Sequence, residues 1–95
     1  MTKEVKVLQT NVFARAYKKL HSNQKDAVDK AVASIIQNPN LGEEKKGDLS
    51  GVFVYKFDCV NQLYLLAYEF DPSTRVLLLV DTHENFSRAL NKVME

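Results

Sequence analysis

The chain has one cysteine, two prolines and three glycines among 95 residues, and each scarcity narrows what it can be. Cys59 stands alone, so no intrachain disulfide can form and a disulfide-stapled secreted fold is not expected. Its setting, FDCVN near a strand end, suits a small, partly buried residue better than a nucleophile. There is no Cys cluster, and the two histidines, His21 and His83, are far apart in sequence, so neither a metal site nor a cofactor is expected. No apolar run approaches the roughly 18 residues of a membrane-spanning helix. The N-terminal MTKEVKVLQT lacks the apolar centre of a signal peptide, and a soluble cytoplasmic protein with no membrane partner is expected. Excess charge is missing too, since 13 Lys and Arg oppose 12 Asp and Glu for a net charge of +1. That balance argues against a polybasic tail, so any basic surface must come from arrangement.

What is present is ordinary globular material, 45% hydrophobic and 26% charged, of a length that fits one domain over residues 1–95. Val5, Val7 and Leu8 alternate as a short first strand ending near Thr10. Asn11 then reads as the cap of a helix that carries Val12, Phe13, Ala16, Tyr17 and Leu20 on one face. After the break His21-Ser22-Asn23, with Ser22 as cap, Ala27, Val28, Ala31, Val32, Ile35 and Ile36 mark a second helix. Asn38-Pro39-Asn40 ends it, because the residue before proline avoids the helical region. Such a short link predicts an antiparallel helix hairpin. LGEEKKGDLSG, residues 41–51, holds all three glycines and reads as a loop. VFVYKF (52–57), QLYLLAYEF (62–70) and RVLLLVD (75–81) read as strands joined by short turns, hence an antiparallel meander. The middle strand is apolar on both faces, so one face should lie under the helix hairpin and the other under a partner or the C-terminal helix. That last helix starts after Thr82 or His83 and carries Phe86, Ala89, Leu90, Val93 and Met94 at helical spacing. The expected fold is therefore α+β, in the order β-α-α-β-β-β-α: an antiparallel sheet packed against an N-terminal helix hairpin, with a C-terminal helix.

The order and length, with IIQNPNLGEEKKGDLSG, the VYKF and YLLAYEF strands and the closing THENFSRAL, resemble the RelE/ParE superfamily of bacterial type II toxin–antitoxin toxins. The strand-to-helix junction is most similar to the RelE-type branch ending in His-x-Asn-Phe-Tyr-Arg-x-Leu, and to YafQ-type toxins with a histidine at the end of the last strand. For the RelE kind, the resemblance implies a ribosome-dependent endoribonuclease that cleaves messenger RNA in the A site without a metal, neutralised by a cognate antitoxin. For the ParE kind, it implies a DNA gyrase inhibitor with no nuclease site. An inactive relative serving as a binding module is a third reading. The chain departs from the RelE pattern by carrying Ser87 in place of a tyrosine and Glu84 where many members have an arginine.

Metal-independent RNA cleavage needs two proton transfers and cations for the phosphate. His83, whose side-chain type titrates near pH 6.5, suits a proton transfer and matches the catalytic histidine of YafQ-type toxins; otherwise it is a polar residue at a helix start. Lys56 shares a strand face with Val52, Val54 and Asp58, so it points to solvent, a groove or a carboxylate. It matches a position often basic in the family and is the next catalytic candidate. Arg88, five residues after His83, is the third if it reaches back to the strand end. Lys45 and Lys46 lie where RelE-type toxins carry RNA-facing basic residues, though Glu43, Glu44 and Asp48 nearby suit a solvated loop equally. Phe86 is placed either to stack on a base or to anchor the core.

Overall fold

A strand that is apolar on both parities requires cover on both sides of its sheet, and the chain supplies it in three layers. The computed structural model describes residues 5–47 and 50–94. In chain order the elements are β1 (Lys6–Gln9), α1 (Asn11–Lys18), α2 (Ser22–Gln37), a 3₁₀ turn (Pro39–Leu41), β2 (Glu43–Glu44), β3 (Phe53–Asp58), β4 (Leu63–Asp71), β5 (Thr74–Thr82) and α3 (His83–Met94). The strands form one sheet in the order β1-β5-β4-β3-β2, with β1 parallel to β5 and the other neighbours antiparallel. No helix is long and apolar enough to cross a membrane among the described residues.

The α+β class, the three helices and the central meander agree with expectation, and two features extend it. The first strand joins the sheet as a parallel edge, a pairing that needs a long crossover, here supplied by everything between β1 and β5. Part of the expected 41–51 loop is the short strand β2, with Glu43 opposite Val54 and Glu44 opposite Phe53. The helix caps also sit one residue earlier than read: Thr10 caps α1 through its hydroxyl, and His21 stands at the cap position of α2. Asp48 and the side chains of Val93 and Met94 lie outside the described residues.

On one face of the sheet, Phe13 of α1 and Val28, Ala31 and Ile35 of α2 pack with Tyr64, Leu66, Tyr68, Leu77 and Val80. On the other, Phe86 and Leu90 of α3 pack with Val52, Val54, Leu65, Ala67, Leu78 and Leu79. Consecutive Leu78 and Leu79 share that second cluster because the β4–β5 register slips by one residue at Ala67/Tyr68. The slip frees the Leu78 carbonyl from the ladder. Thr10 Oγ1 donates to it at 2.7 Å while accepting from Phe13 N–H at 3.0 Å, so one hydroxyl caps α1 and fastens it to β5.

The C-terminal end of α2 is closed by two side chains from the sheet. Arg75, only 5% exposed, donates to the carbonyls of Ile35 (3.3 Å), Ile36 (3.0 Å), Asp71 (2.7 Å) and Thr74 (3.1 Å). These are carbonyls that a helix end or strand turn leaves unpaired, and a cation there also suits the helix dipole. Tyr68, fully buried, donates its hydroxyl to Pro39 O at 2.5 Å and accepts from Gly42 N–H at 3.0 Å; burial pushes its phenol up. A Cβ on Gly42 would lie 2.6 Å from that hydroxyl, so only glycine lets the chain pass this closely.

The β3–β4 connection is a tight two-residue turn in which Cys59 and Gln62 exchange backbone hydrogen bonds of 2.7 and 3.2 Å. Both central residues, Val60 (φ 53°) and Asn61 (φ 66°), are left-handed. Asparagine accepts this conformation, but for a β-branched side chain it costs about 1–2 kcal/mol. Cys59 beside it is fully buried, and burial pushes its thiol up.

Three outcomes follow. Tyr68→Phe leaves the Pro39 carbonyl and Gly42 N–H without their partner and should destabilise the fold by about 1–3 kcal/mol in urea titrations. Val60→Asn, at a position 48% exposed, should stabilise it by roughly 1 kcal/mol in the same assay. Cys59 should resist iodoacetamide in the native protein and become alkylated on unfolding, as followed by mass spectrometry.

Candidate functional site

The alternation of β3 decides where its lysine goes. Phe53, Tyr55 and Phe57 face the helix hairpin, so Val54 and Lys56 face α3. Lys56 pairs with Leu65, and Leu65 pairs in turn with Asp81, so these three form one row across the sheet beneath α3. The β4–β5 ladder ends at the pair Tyr64–Thr82. There the chain turns into α3: Asn85 N–H donates to Thr82 Oγ1 at 3.4 Å, and Thr82 N–H donates to Asp81 Oδ1 at 2.7 Å. Asp81 and Thr82 thus account for the junction, and His83, the first helical residue, remains exposed at its edge. Phe86 is 3% exposed and holds this first turn against the sheet.

From the other side, β2 approaches the same face. Its register places Glu43 opposite Val54, and the following Lys45 is pinned by its N–H donating to Val52 O at 2.8 Å. The neighbouring Glu44 carboxylate accepts from Gly51 N–H at 3.1 Å, closing the loop that carries Lys46. Between β2, β3, β4 and α3 lies a cavity of about 210 Å³ walled by Glu43, Lys45, Val54, Lys56, Leu65, His83, Phe86 and Ser87. It gathers one imidazole, one carboxylate and two ammonium groups over an apolar base. Two cations against one carboxylate make it a place for an anion.

Of the residues singled out from sequence, His83, Lys56, Lys45 and Phe86 meet in this wall, with Phe86 in its buried, anchoring orientation. Lys46 and Arg88 are exposed and outside it. Arg88 follows His83 by five positions, about 140° around a helix of 3.6 residues per turn, and so faces away from the cavity. Glu43 and Ser87 were not foreseen as wall residues. Ser87, four residues after His83, was legible from helical spacing. Glu43 was not, because a loop reading gives a residue no face.

Two other cavities define the surroundings. A second one, of about 190 Å³, shares His83 as a wall and is completed by Gln62, Leu63, Thr82 and Glu84. A larger one, of about 320 Å³, opens between α2 and β3 around Asp26, Lys30, Tyr55 and Asp58, on the face opposite α3 and without a histidine.

The fold is shared with solved toxins. The RelBE2 toxin–antitoxin complex of Mycobacterium tuberculosis contains a chain similar to this one at 26% identity and a TM-score of 0.70, covering 84% of this chain and 99% of that one. Escherichia coli RelE is similar in fold in two structures. A double arginine-to-alanine mutant in the free state gives 15% identity and a TM-score of 0.69, over 94% of this chain and 97% of that one. The isolated toxin gives 17% and 0.63, over 94% and 98%. No curated protein matches the chain significantly in sequence. A family model described as the ParE-like toxin of type II bacterial toxin–antitoxin systems matches residues 7–91, nearly the whole chain, and the protein belongs to that family.

Proposed function

We propose that this toxin is an endoribonuclease that cuts messenger RNA on the ribosome by acid/base catalysis, and that a cognate antitoxin silences it by covering the α3 face. The observation that carries this reading is the convergence of His83, Lys56, Lys45 and Glu43 in one cavity. Cleavage by transesterification proceeds when the 2′-hydroxyl loses its proton, O2′ bonds to the adjacent phosphorus, and the bond from phosphorus to O5′ breaks as O5′ gains a proton. The products are a 2′,3′-cyclic phosphate and a 5′-hydroxyl. Two proton transfers call for two groups, and His83 and Glu43 are the imidazole and the carboxylate of the wall. In this reading His83 serves one transfer and Glu43 the other. The ammonium groups of Lys56 and Lys45 neutralise the charge that builds on the phosphorane oxygens.

Lys46 and Arg88, exposed outside the wall, hold the RNA backbone through charge alone. Phe86 supports the site by anchoring α3 rather than by stacking. Inhibition of DNA gyrase is the reading this fold allows in place of RNA cleavage.

Expression without antitoxin distinguishes them. The wild-type chain should arrest growth and yield codon-phased messenger RNA 5′ ends. His83→Ala should reduce cleavage by about 10²–10⁴-fold, and Lys56→Ala by about 10²-fold. Lys46→Ala and Arg88→Ala should weaken RNA binding most at low salt, flatten its salt dependence and leave the chemical step intact. Growth arrest with intact transcripts and inhibited supercoiling would establish the gyrase reading instead.

A further inference from the structure

The sheet has two edges, and they are finished differently. At one, β2 is two residues long and consists of Glu43 and Glu44, a short, charged edge of the kind that discourages strand addition. At the other, β1 runs Lys6-Val7-Leu8-Gln9, exposed at every position and charged only at its start. Leu8, 53% exposed, is the most exposed large aliphatic side chain among the described residues, and Val7 and Val12 beside it are exposed too. This edge is long and apolar enough to accept another strand.

Its backbone says how. Lys6 N–H donates to Ser73 O at 2.9 Å and Thr10 N–H to Leu77 O at 3.0 Å, so Lys6, Leu8 and Thr10 turn their polar groups to β5. The N–H and C=O groups of Val7 and Gln9 therefore point away from the sheet. Two antiparallel copies of β1, with Leu8 opposite Leu8, satisfy them all: Val7 of each copy exchanges both its hydrogen bonds with Gln9 of the other. The side chains suit this register as well. The two leucines meet at a non-hydrogen-bonded pair, where side chains lie closest. Each Lys6 comes opposite the neutral Thr10 of the other copy, so no like charges are opposed. On the hairpin face, Gln9 rims a cavity of about 190 Å³ between Phe13, Val28, Val32 and Leu77. Val7 of the second copy, level with Gln9, arrives at the mouth of that cavity.

We propose that β1 is a self-association edge, through which two antitoxin-free copies of this chain pair antiparallel about Leu8 into one continuous sheet. The contact is isologous, each copy offering the same strand. Its two-fold axis stands perpendicular to the sheet, so both α3 helices lie on one side and both helix hairpins on the other. Along the order β3-β4-β5-β1 the two His83 cavities fall at opposite flanks of the α3 side, roughly 30 Å apart at the usual strand spacing. Neither copy completes the other's cavity, and the pairing holds whatever the toxin acts on. A contact of one short strand is small, which makes the dimer weak and dependent on concentration.

The test is sedimentation equilibrium of the purified, antitoxin-free chain from micromolar to millimolar concentration. The mass should rise from 10.8 kDa towards twice that value. Leu8→Lys sets one ammonium group opposite another and should raise the dimer Kd about tenfold or more, with the urea midpoint at low concentration unchanged. Leu8→Cys should cross-link two copies under mild oxidation, because a non-hydrogen-bonded pair holds its Cα atoms about 4.5 Å apart, within disulfide reach. Val7→Cys lies diagonal to its counterpart and should not, and Cys59 is buried and does not compete. A chain that stays monomeric at millimolar concentration overturns the proposal. So does a dimer indifferent to Leu8→Lys, or one that Val7→Cys links as well as Leu8→Cys, since the contact then lies elsewhere. A monomer whose antitoxin binding weakens in Leu8→Lys gives this edge to the antitoxin and equally overturns it.

Discussion

The second apolar face of the sheet, formed by Val54, Leu65, Ala67, Leu78 and Leu79, cannot remain in water, and α3 is the element that covers it. Burying one large aliphatic or aromatic side chain is worth about 1.5–3 kcal/mol, and Phe86 and Leu90 of α3 are both 3% exposed. The position of the functional groups depends on this docking. Phe86 lies in the first turns of the helix, so once it is seated, His83 must stand at the rim of the same face. The alternation of β3 sends Lys56 to that face, and the pairing of β2 with β3 adds Glu43 and Lys45. The cavity is a consequence of covering the sheet, not a structure added to it.

The opposite face uses the same economy. Arg75 and Tyr68 spend their polar groups on the end of α2, satisfying backbone groups that the 3₁₀ turn and helix terminus leave open. A buried guanidinium is tolerated there because several carbonyls receive it. The hairpin side therefore carries stability, while the α3 side carries the exposed chemistry. A net charge of +1 is compatible with an anion site because the cations are placed rather than numerous.

Much of this was legible in the chain. Alternation in 52–57, an apolar run on both faces in 62–70 and fourfold spacing in 27–36 announced strands and helix because burial there is strong. The same alternation separated Lys56 from the aromatic face of its strand. What escaped detection lacked a periodic signal. The strand Lys6–Gln9 was read from its alternation, but its parallel pairing was not, because it is set by a partner nearly 70 residues away in sequence. Glu43–Glu44 is too short and too polar to look like a strand. Arg75 reads as a charged strand start, and only the tertiary fold brings the end of α2 to it. The resemblance to RelE/ParE toxins supplied the family; the geometry supplied Glu43 and Ser87 and turned Arg88 outward.

The central claim is that His83 and Lys56 act on one phosphate in one cavity. It is tested most directly by a double-mutant cycle on single-turnover cleavage by the ribosome-bound toxin. Groups that work as a unit are strongly non-additive, so the double variant His83→Ala/Lys56→Ala should be about as slow as His83→Ala alone. Losses that multiply independently, to roughly the product of the two single effects, would place the residues in separate roles and contradict the account.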